Sequence, residues 1–326
     1  MTDKTGYTKS ILVDIGATNL RVAIGESGGR ILGKLSQPTR KLGKSNAIPN
    51  QIIEMASKLM QKITIFKSDL ISIAIGSVGP IDATKGTIVS TANLPYTDVP
   101  LREHLMGRFD VPVGLLGDCV AGVLGEQKFG AAKNVGNVVY VTFSTGIGVG
   151  AMVDGHLLEG RMGNAAMAGH MIVSLQSDMI CGCGQRGHWE AYSSARNIPN
   201  YAKSIMRSLE DSDSALMKIY RKDPTKITSR SVFDAAKSSD SVAKIIVNRI
   251  GEVNSKALAN LLVAYDPELL VLGGALTLTH PEFIIGPIRR MLSKYCIFQR
   301  LPRIIKTRLG DDAVLYGALA STQEVT

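Results

Sequence analysis

The chain has 326 residues, of which 45% are hydrophobic and 20% charged, and its 37 basic and 28 acidic residues give a net charge of +9. That length suits roughly two domains, and the apolar share lies well away from disorder. The opening MTDKTGYTKS has no apolar run to serve as a signal peptide, and the longest apolar stretch, Leu258–Leu276, is broken by Asp266, Pro267 and Glu268. Four cysteines do not make a disulfide scaffold at this size, so a cytoplasmic protein without membrane contact is expected.

Residues 10–24, SILVDIGATNLRVAI, read as a buried strand, a tight turn at Gly16 and a second strand. Ile48, Ile52, Ile53, Met55, Leu59, Met60 and Ile63 recur at helical spacing across 47–66, and 70–76 reads as a strand. The strand Val111–Leu116 leads through Gly117 and Asp118 into the helical pattern Val120–Phe129. The strand–Gly turn–strand pattern then returns, with Val138–Phe143, a turn at Ser144–Gly148, and Val149–Val153. Two such units about 130 residues apart suggest duplicated domains. A long helix over Ser241–Ala264, the strand Leu269–Leu272, the turn Gly273-Gly274 and a last helix entered from Gly310-Asp311-Asp312 complete an alternating α/β pattern. Between Arg289 and Arg308 seven basic residues occur without an acid, interleaved with apolar ones. This fits a packed helix and strand with a solvated basic face better than a nucleic-acid surface, so no nucleic-acid partner is expected.

Two glycine loops carry the chemistry. In Asp14-Ile15-Gly16-Ala17-Thr18-Asn19 a carboxylate closes a buried strand, Gly16 lets main-chain amides approach a phosphate, and Thr18 and Asn19 add donors. An ordinary hairpin with a turn-forming Asp fits those residues equally well. Ser144-Thr145-Gly146-Ile147-Gly148 offers the same chemistry, and the pair is more telling than either alone. Two other glycine motifs fail. Pro38 stands where a phosphate loop ending at Gly43-Lys44-Ser45 needs its first Gly, and Gly182-x-Gly184-x-x-Gly187 follows no clear strand and encloses Cys183.

In their order along residues 10–320 the paired loops, Gly79-Pro80, Thr91-Ala92-Asn93-Leu94-Pro95, Asp118, Ala168-Gly169-His170, Cys181-Gly-Cys183-Gly-x-x-Gly-His188-x-Glu190 and Gly273-Gly274-Ala275 resemble the ROK sugar kinases. The resemblance implies a two-lobed actin-like ATPase fold, a duplicated ribonuclease H-like architecture with a central cleft. Its expected lobes are 1–118 and 119–310, with a helix at about 311–326 packing back on the first. It implies ATP- and Mg2+-dependent phosphorylation of a hexose or hexosamine on the 6-hydroxyl, and a homodimer or dimer of dimers.

Carried over by position, Asp118 is the general base, although an Asp after a strand also suits a helix cap. Asn93, His170 and Glu190 match sugar-contacting positions, and Gly79 and Gly117 lie beside them. For Asn93 a loop cap, and for Glu190 an exposed helix carboxylate, are the plainer readings. Asp14, Gly16, Thr18, Asn19, Thr145 and Gly146 match the phosphate loops, and Gly273 and Gly274 the adenosine side. The family's zinc set would here be His170, Cys181, Cys183 and His188, a four-ligand structural site, against the alternative of two reduced cysteines and two surface histidines.

Three positions depart from the family pattern. Gly117 replaces an Asn, Met167 replaces a Glu, and His188 replaces a Cys. Gly117 would open space and Met167 offer apolar contact, which together favour N-acetylmannosamine over N-acetylglucosamine and glucose. The alternatives are a glucokinase or broad hexokinase and a non-catalytic sugar-binding regulator. A repressor of the same family would need a DNA-binding domain before Asp14, for which the first thirteen residues are too few.

Overall fold

The computed structural model describes residues 7–91, 94–209, 212–297 and 300–323. In chain order the first elements are β1 (Lys9–Ile15), β2 (Asn19–Glu26), β3 (Ile31–Pro38), α1 (Ala47–Ile63), β4 (Leu70–Ser77), β5 (Ile81–Asp82), β6 (Thr87–Ser90), β7 (Thr97–Pro100), α2 (Leu101–Phe109), β8 (Val113–Gly117) and α3 (Asp118–Lys128). They are followed by β9 (Val138–Phe143), β10 (Ile147–Val153), β11 (His156–Leu157), α4 (Glu190–Ser193), α5 (Ile198–Arg207), α6 (Ala215–Lys222), α7 (Ser229–Lys237) and α8 (Ser241–Tyr265). The last are β12 (Leu269–Gly273), α9 (Ala275–Thr279), α10 (Pro281–Met291), β13 (Arg303–Lys306) and α11 (Ala313–Ser321).

The chain forms two compact units. One joins Met1–Tyr140, Gly150–Ala166 and Thr307–Thr326, and the other joins Val141–Val149 and Met167–Lys306. The first unit therefore runs through all of α3 and takes in α11.

In the first unit the strand order is β3-β2-β1-β4-β8. β1 pairs antiparallel with β2 and parallel with β4, which pairs parallel with β8. Side chains alternate between the two faces of a strand, and both faces of β1 are covered. Ile11, Val13 and Ile15 share a core with Ile48, Ile52, Met55 and Leu59 of α1 and with Leu101, Leu105 and Phe109 of α2. On the other face Leu12, Ala23 and Ala74 meet Leu315, Ala318 and Leu319 of α11. This double burial is why β1 carries the unbroken apolar run Ile11-Leu12-Val13. α11 approaches α3 so closely that a Cβ on Gly317 would lie 1.7 Å from the Ala121 carbonyl, and one on Gly125 would lie 2.4 Å from that of Ala313.

The second large sheet has the order β11-β10-β9-β12-β13. Within the second unit β12 is buried along its whole length. Trp189 is fully buried, edge-on to Phe143, and its indole N–H donates to Asn254 Oδ1 on α8 at 2.8 Å. The basic stretch folds into α10 and β13, as its pattern predicts. Arg289 donates to the Ile304 carbonyl, while Arg303 and Lys306 are exposed. Among the described residues no helix is long and apolar enough to cross a membrane.

Candidate active site

In the first unit the parallel strands end level, since Ile15 of β1 pairs with Ser77 of β4, and Ser77 with Gly117 of β8. The next residues of each strand, the turn at Gly16, the Gly79-Pro80 segment and Asp118, thus emerge together at the carboxyl ends of the sheet. Open α/β sheets take their ligands at such ends. The Gly16 amide donates to the Asn19 carbonyl at 2.9 Å, and a Cβ on Gly16 would lie 2.8 Å from that oxygen, so the turn closes tightly around glycine. Thr39 ties the turn down, its hydroxyl donating to the Gly16 carbonyl and its amide to that of Thr18. Thr18 and Asn19 are exposed.

Asp14 is buried and faces Arg21, whose guanidinium lies 2.7 Å from Oδ2. Burial pushes the Asp14 carboxyl up to about 6; Arg21 holds it down, and the nearby Asp118 and Asp312 charges push it further up. Arg21 also reaches the Asp311 carbonyl, and Lys34 pairs with Asp312. The loop before α11 therefore belongs to the surroundings of Asp14, through contacts nearly 300 residues apart in sequence that no local pattern announces.

Asp118 is the first residue of α3, and Gly117, at the N-cap, is extended. The Asp118 Oδ1 accepts the Cys119 amide at 2.7 Å. Burial raises the Asp118 carboxyl above its ordinary range, and the hydrogen bond to Cys119 opposes the rise. The space beside Gly117, expected to be open, is bounded closely: a Cβ there would lie 3.3 Å from the Gly163 carbonyl oxygen. The segment carrying Gly163 is brought in by Asn164, which sequence reasoning missed. Its Oδ1 accepts the Ile81 amide at 2.8 Å and its Nδ2 donates to the Ile81 carbonyl at 2.7 Å. A Cβ on Gly79 would lie 3.2 Å from the same Oδ1. Asn93 lies outside the described residues.

In the second unit the Ser144 amide donates to the Gly146 carbonyl, closing the second glycine turn, and the Arg196 amide donates to the Thr145 carbonyl. Glu190, the first residue of α4, is 8% exposed rather than solvated. Its Oε2 accepts the Ile147 amide at 2.9 Å, and a Cβ on Gly146 would come within 2.5 Å of that oxygen. Its Oε1 lies 3.6 Å from Cys181 Sγ. Gly273 ends β12. Gly274 has φ +85, and a Cβ there would meet Thr142 Oγ1 at 2.4 Å and the Phe143 carbonyl at 2.5 Å. The fold itself requires glycine at 274, before any nucleotide is considered. Met167 is 37% exposed.

His170 ends the short turn Ala168–His170, and the structure brings all four expected metal ligands together. The ligand atoms of His170, Cys181, Cys183 and His188 all lie within 4.8 Å of one another. His170 Nδ1 is 3.7 Å from Cys181 Sγ, and His188 Nδ1 is 3.3 Å from Cys183 Sγ. Tetrahedral zinc, with bonds of about 2.3 Å to sulfur and about 2.0 Å to nitrogen, sets neighbouring S and N roughly 3.5 Å apart. Burial lowers the pKa of His188, which favours the neutral imidazole that binds metal. The donor set therefore fits zinc.

The ROK family model matches residues 10–325. A glucokinase from Pyrobaculum calidifontis is 31% identical over 312 residues, covering 96% of this chain and 94% of that one. Among solved structures, a ROK glucokinase from Streptomyces griseus in complex with glucose and AMPPNP superposes with a TM-score of 0.81 at 27% identity, covering 98% of this chain and 100% of that one. The ROK hexokinase from Thermus thermophilus gives 0.81 at 28% identity, covering 98% and 99%. The architecture is the two-domain actin-like ATPase fold. With its paired glycine turns, the Asp at the end of β8 and the Cys/His cluster all in family order, the chain belongs to the ROK family.

Proposed function

We propose that the chain is an ATP-dependent sugar kinase that transfers the γ-phosphoryl group to the 6-hydroxyl of a hexose of the glucose type. The observation that carries this reading is the level ending of β1, β4 and β8, which sets the Gly16 turn and the Asp118 carboxylate at one end of one sheet. Asp118 accepts the proton of the attacking hydroxyl, and its burial makes the carboxylate a stronger base than one in water. Thr18 and Asn19 present donors to phosphate oxygens from the turn that Gly16 closes, Thr145 and Gly146 do so in the second unit, and Gly273 and Gly274 are assigned to the adenosine side. Asp14 supplies an oxygen ligand suited to Mg2+, which when bound neutralises charge on the transferring phosphoryl group. Gly79, Asn93, Gly117, Met167, His170 and Glu190 are assigned to the sugar. His170, Cys181, Cys183 and His188 would hold a structural zinc that cross-links their loop.

Glucose is ranked first for two reasons. Glucokinases match this chain over nearly its whole length, and a polar carbonyl borders Gly117. The half-exposed Met167 side chain supports a second reading, an N-acetylhexosamine such as N-acetylmannosamine, whose acetamido methyl wants apolar contact. The deciding experiment is coupled ADP release with glucose, mannose, N-acetylglucosamine and N-acetylmannosamine. The highest kcat/KM is expected for glucose, a best rate with N-acetylmannosamine selects the second reading, and no turnover with any of them ends the kinase assignment. A cytoplasmic homodimer or dimer of dimers is the setting we propose.

A further inference from the structure

The Gly163-Asn164 pair lies between two positions assigned to the sugar, and nothing in the family resemblance gave it a role. Gly163 is fixed from several sides. Its φ is +86, and a Cβ on it would press on Ile81 Cδ1 at 3.0 Å and Ala83 Cβ at 3.1 Å. The residue before it accepts the Ala83 amide through the Met162 carbonyl at 3.1 Å. The residue after it, Asn164, brackets Ile81 through both the amide and the carbonyl. A segment held this way cannot yield cheaply to a larger neighbour.

Gly163 is a buried residue, and among the described residues no donor bonds its carbonyl. An acceptor left without a donor favours a partner. It stands 3.3 Å from where a Cβ at position 117 would be, one residue before Asp118. We infer that the Gly163 carbonyl, positioned by Asn164, accepts a hydrogen bond from a sugar hydroxyl in place of a side chain at position 117, and so orients the sugar at Asp118. Glycine at 117 and the ordered Gly163 carbonyl are then two halves of one arrangement. This inference rests on the kinase reading.

Gly117 has φ −62 and ψ 144, open to any residue, and Asn is a favourable N-cap, so Gly117→Asn should fold. With Asn164 in place, Gly117→Asn is expected to weaken glucose binding by about tenfold, the effect of one lost hydrogen bond, in both KM and calorimetric titration. The KM for ATP should stay within about twofold. Asn164→Ala should raise the glucose KM by a similar factor. In the Asn164→Ala background, Gly117→Asn should restore affinity, because the loosened segment can move aside and the introduced carboxamide can supply the partner. Glucose binding to Gly117→Asn as tight as to the wild type overturns the inference, as does an unchanged glucose KM in a folded Asn164→Ala. If Asn164→Ala does not fold, Gly117→Asn alone decides. The kinase reading fails separately, when the wild type phosphorylates no sugar, and calorimetry still tests the binding site in that case.

Discussion

Arg21 and Asp14 face one another across the first hairpin as a register pair, with the guanidinium 2.7 Å from the carboxylate. The cation does not fully offset the cost of burial, for the Asp14 carboxyl still titrates near 6 rather than 3.8. The folded chain thus holds a proton that the unfolded chain has lost between those two values. Stability conferred by this group is full below about pH 3.8, falls as pH rises towards 6, and is level above, a change of about 3 kcal/mol.

Activity should run the other way, because Asp14 must be ionised to serve a Mg2+-bound phosphate. The acid limb of kcat/KM, which reports the free enzyme, is expected near pH 6. Arg21→Gln removes the charge that holds the carboxyl down and should move that limb to higher pH. A pH–rate profile of both proteins is the check, and coincident acid limbs would remove Arg21 from this role.

Asp118→Asn should lower the rate by about a thousandfold, since a proton acceptor is lost. The amide oxygen can still accept the Cys119 N–H, so the melting temperature should change by no more than a few degrees. Rate and melt are to be measured on the same preparation; a variant with a tenth of the wild-type rate would show that Asp118 is not the base.

Elemental analysis after a chelator wash should find about one zinc per chain, because four ligand atoms already lie within 4.8 Å of one another. Cys181→Ala should lose the metal and lower the melting temperature. A zinc-free wild type whose melt matches that of the variant would mean that His188 has ended metal binding.

Gly317→Ala should destabilise the first unit by about 3 kcal/mol or more, since the added carbon falls 1.7 Å from the Ala121 carbonyl and both helix backbones must part. Thermal or urea unfolding would report it. A change below about 0.5 kcal/mol would mean that the α3–α11 approach is looser than described.

Much of this was legible in the sequence, and particular residues show why. Strand β1 announced itself because Ile11, Leu12 and Val13 are buried on both faces, and the period of α1 because Ile48, Ile52, Met55 and Leu59 line one stripe. The Cys/His cluster was readable through the family resemblance, whose ligand positions fall within nineteen residues here, His170 to His188. Hidden were the pairings made by the tertiary fold. Asn164 meets Ile81 across 83 positions, Glu190 meets Ile147 across 43, and Arg21 meets Asp311 across 290. The reading of Gly117 has the same origin: a missing side chain reads as room in a sequence, whereas here the chain returns from residue 163 and sets a carbonyl 3.3 Å from where a Cβ would stand.

The place of α11 bears on how the molecule is made. Leu12, Ala23 and Ala74 belong to strands synthesised early, but Leu315, Ala318 and Leu319, which cover them, are translated long afterwards. Until that helix leaves the ribosome, one side of the first sheet stays bare, while Val141–Val149 and Met167–Lys306 already have every segment they need. The nascent chain therefore carries a sticky half-finished sheet until α11 emerges, and a stalled or prematurely ended product lacking α11 would be a substrate for chaperones and proteases.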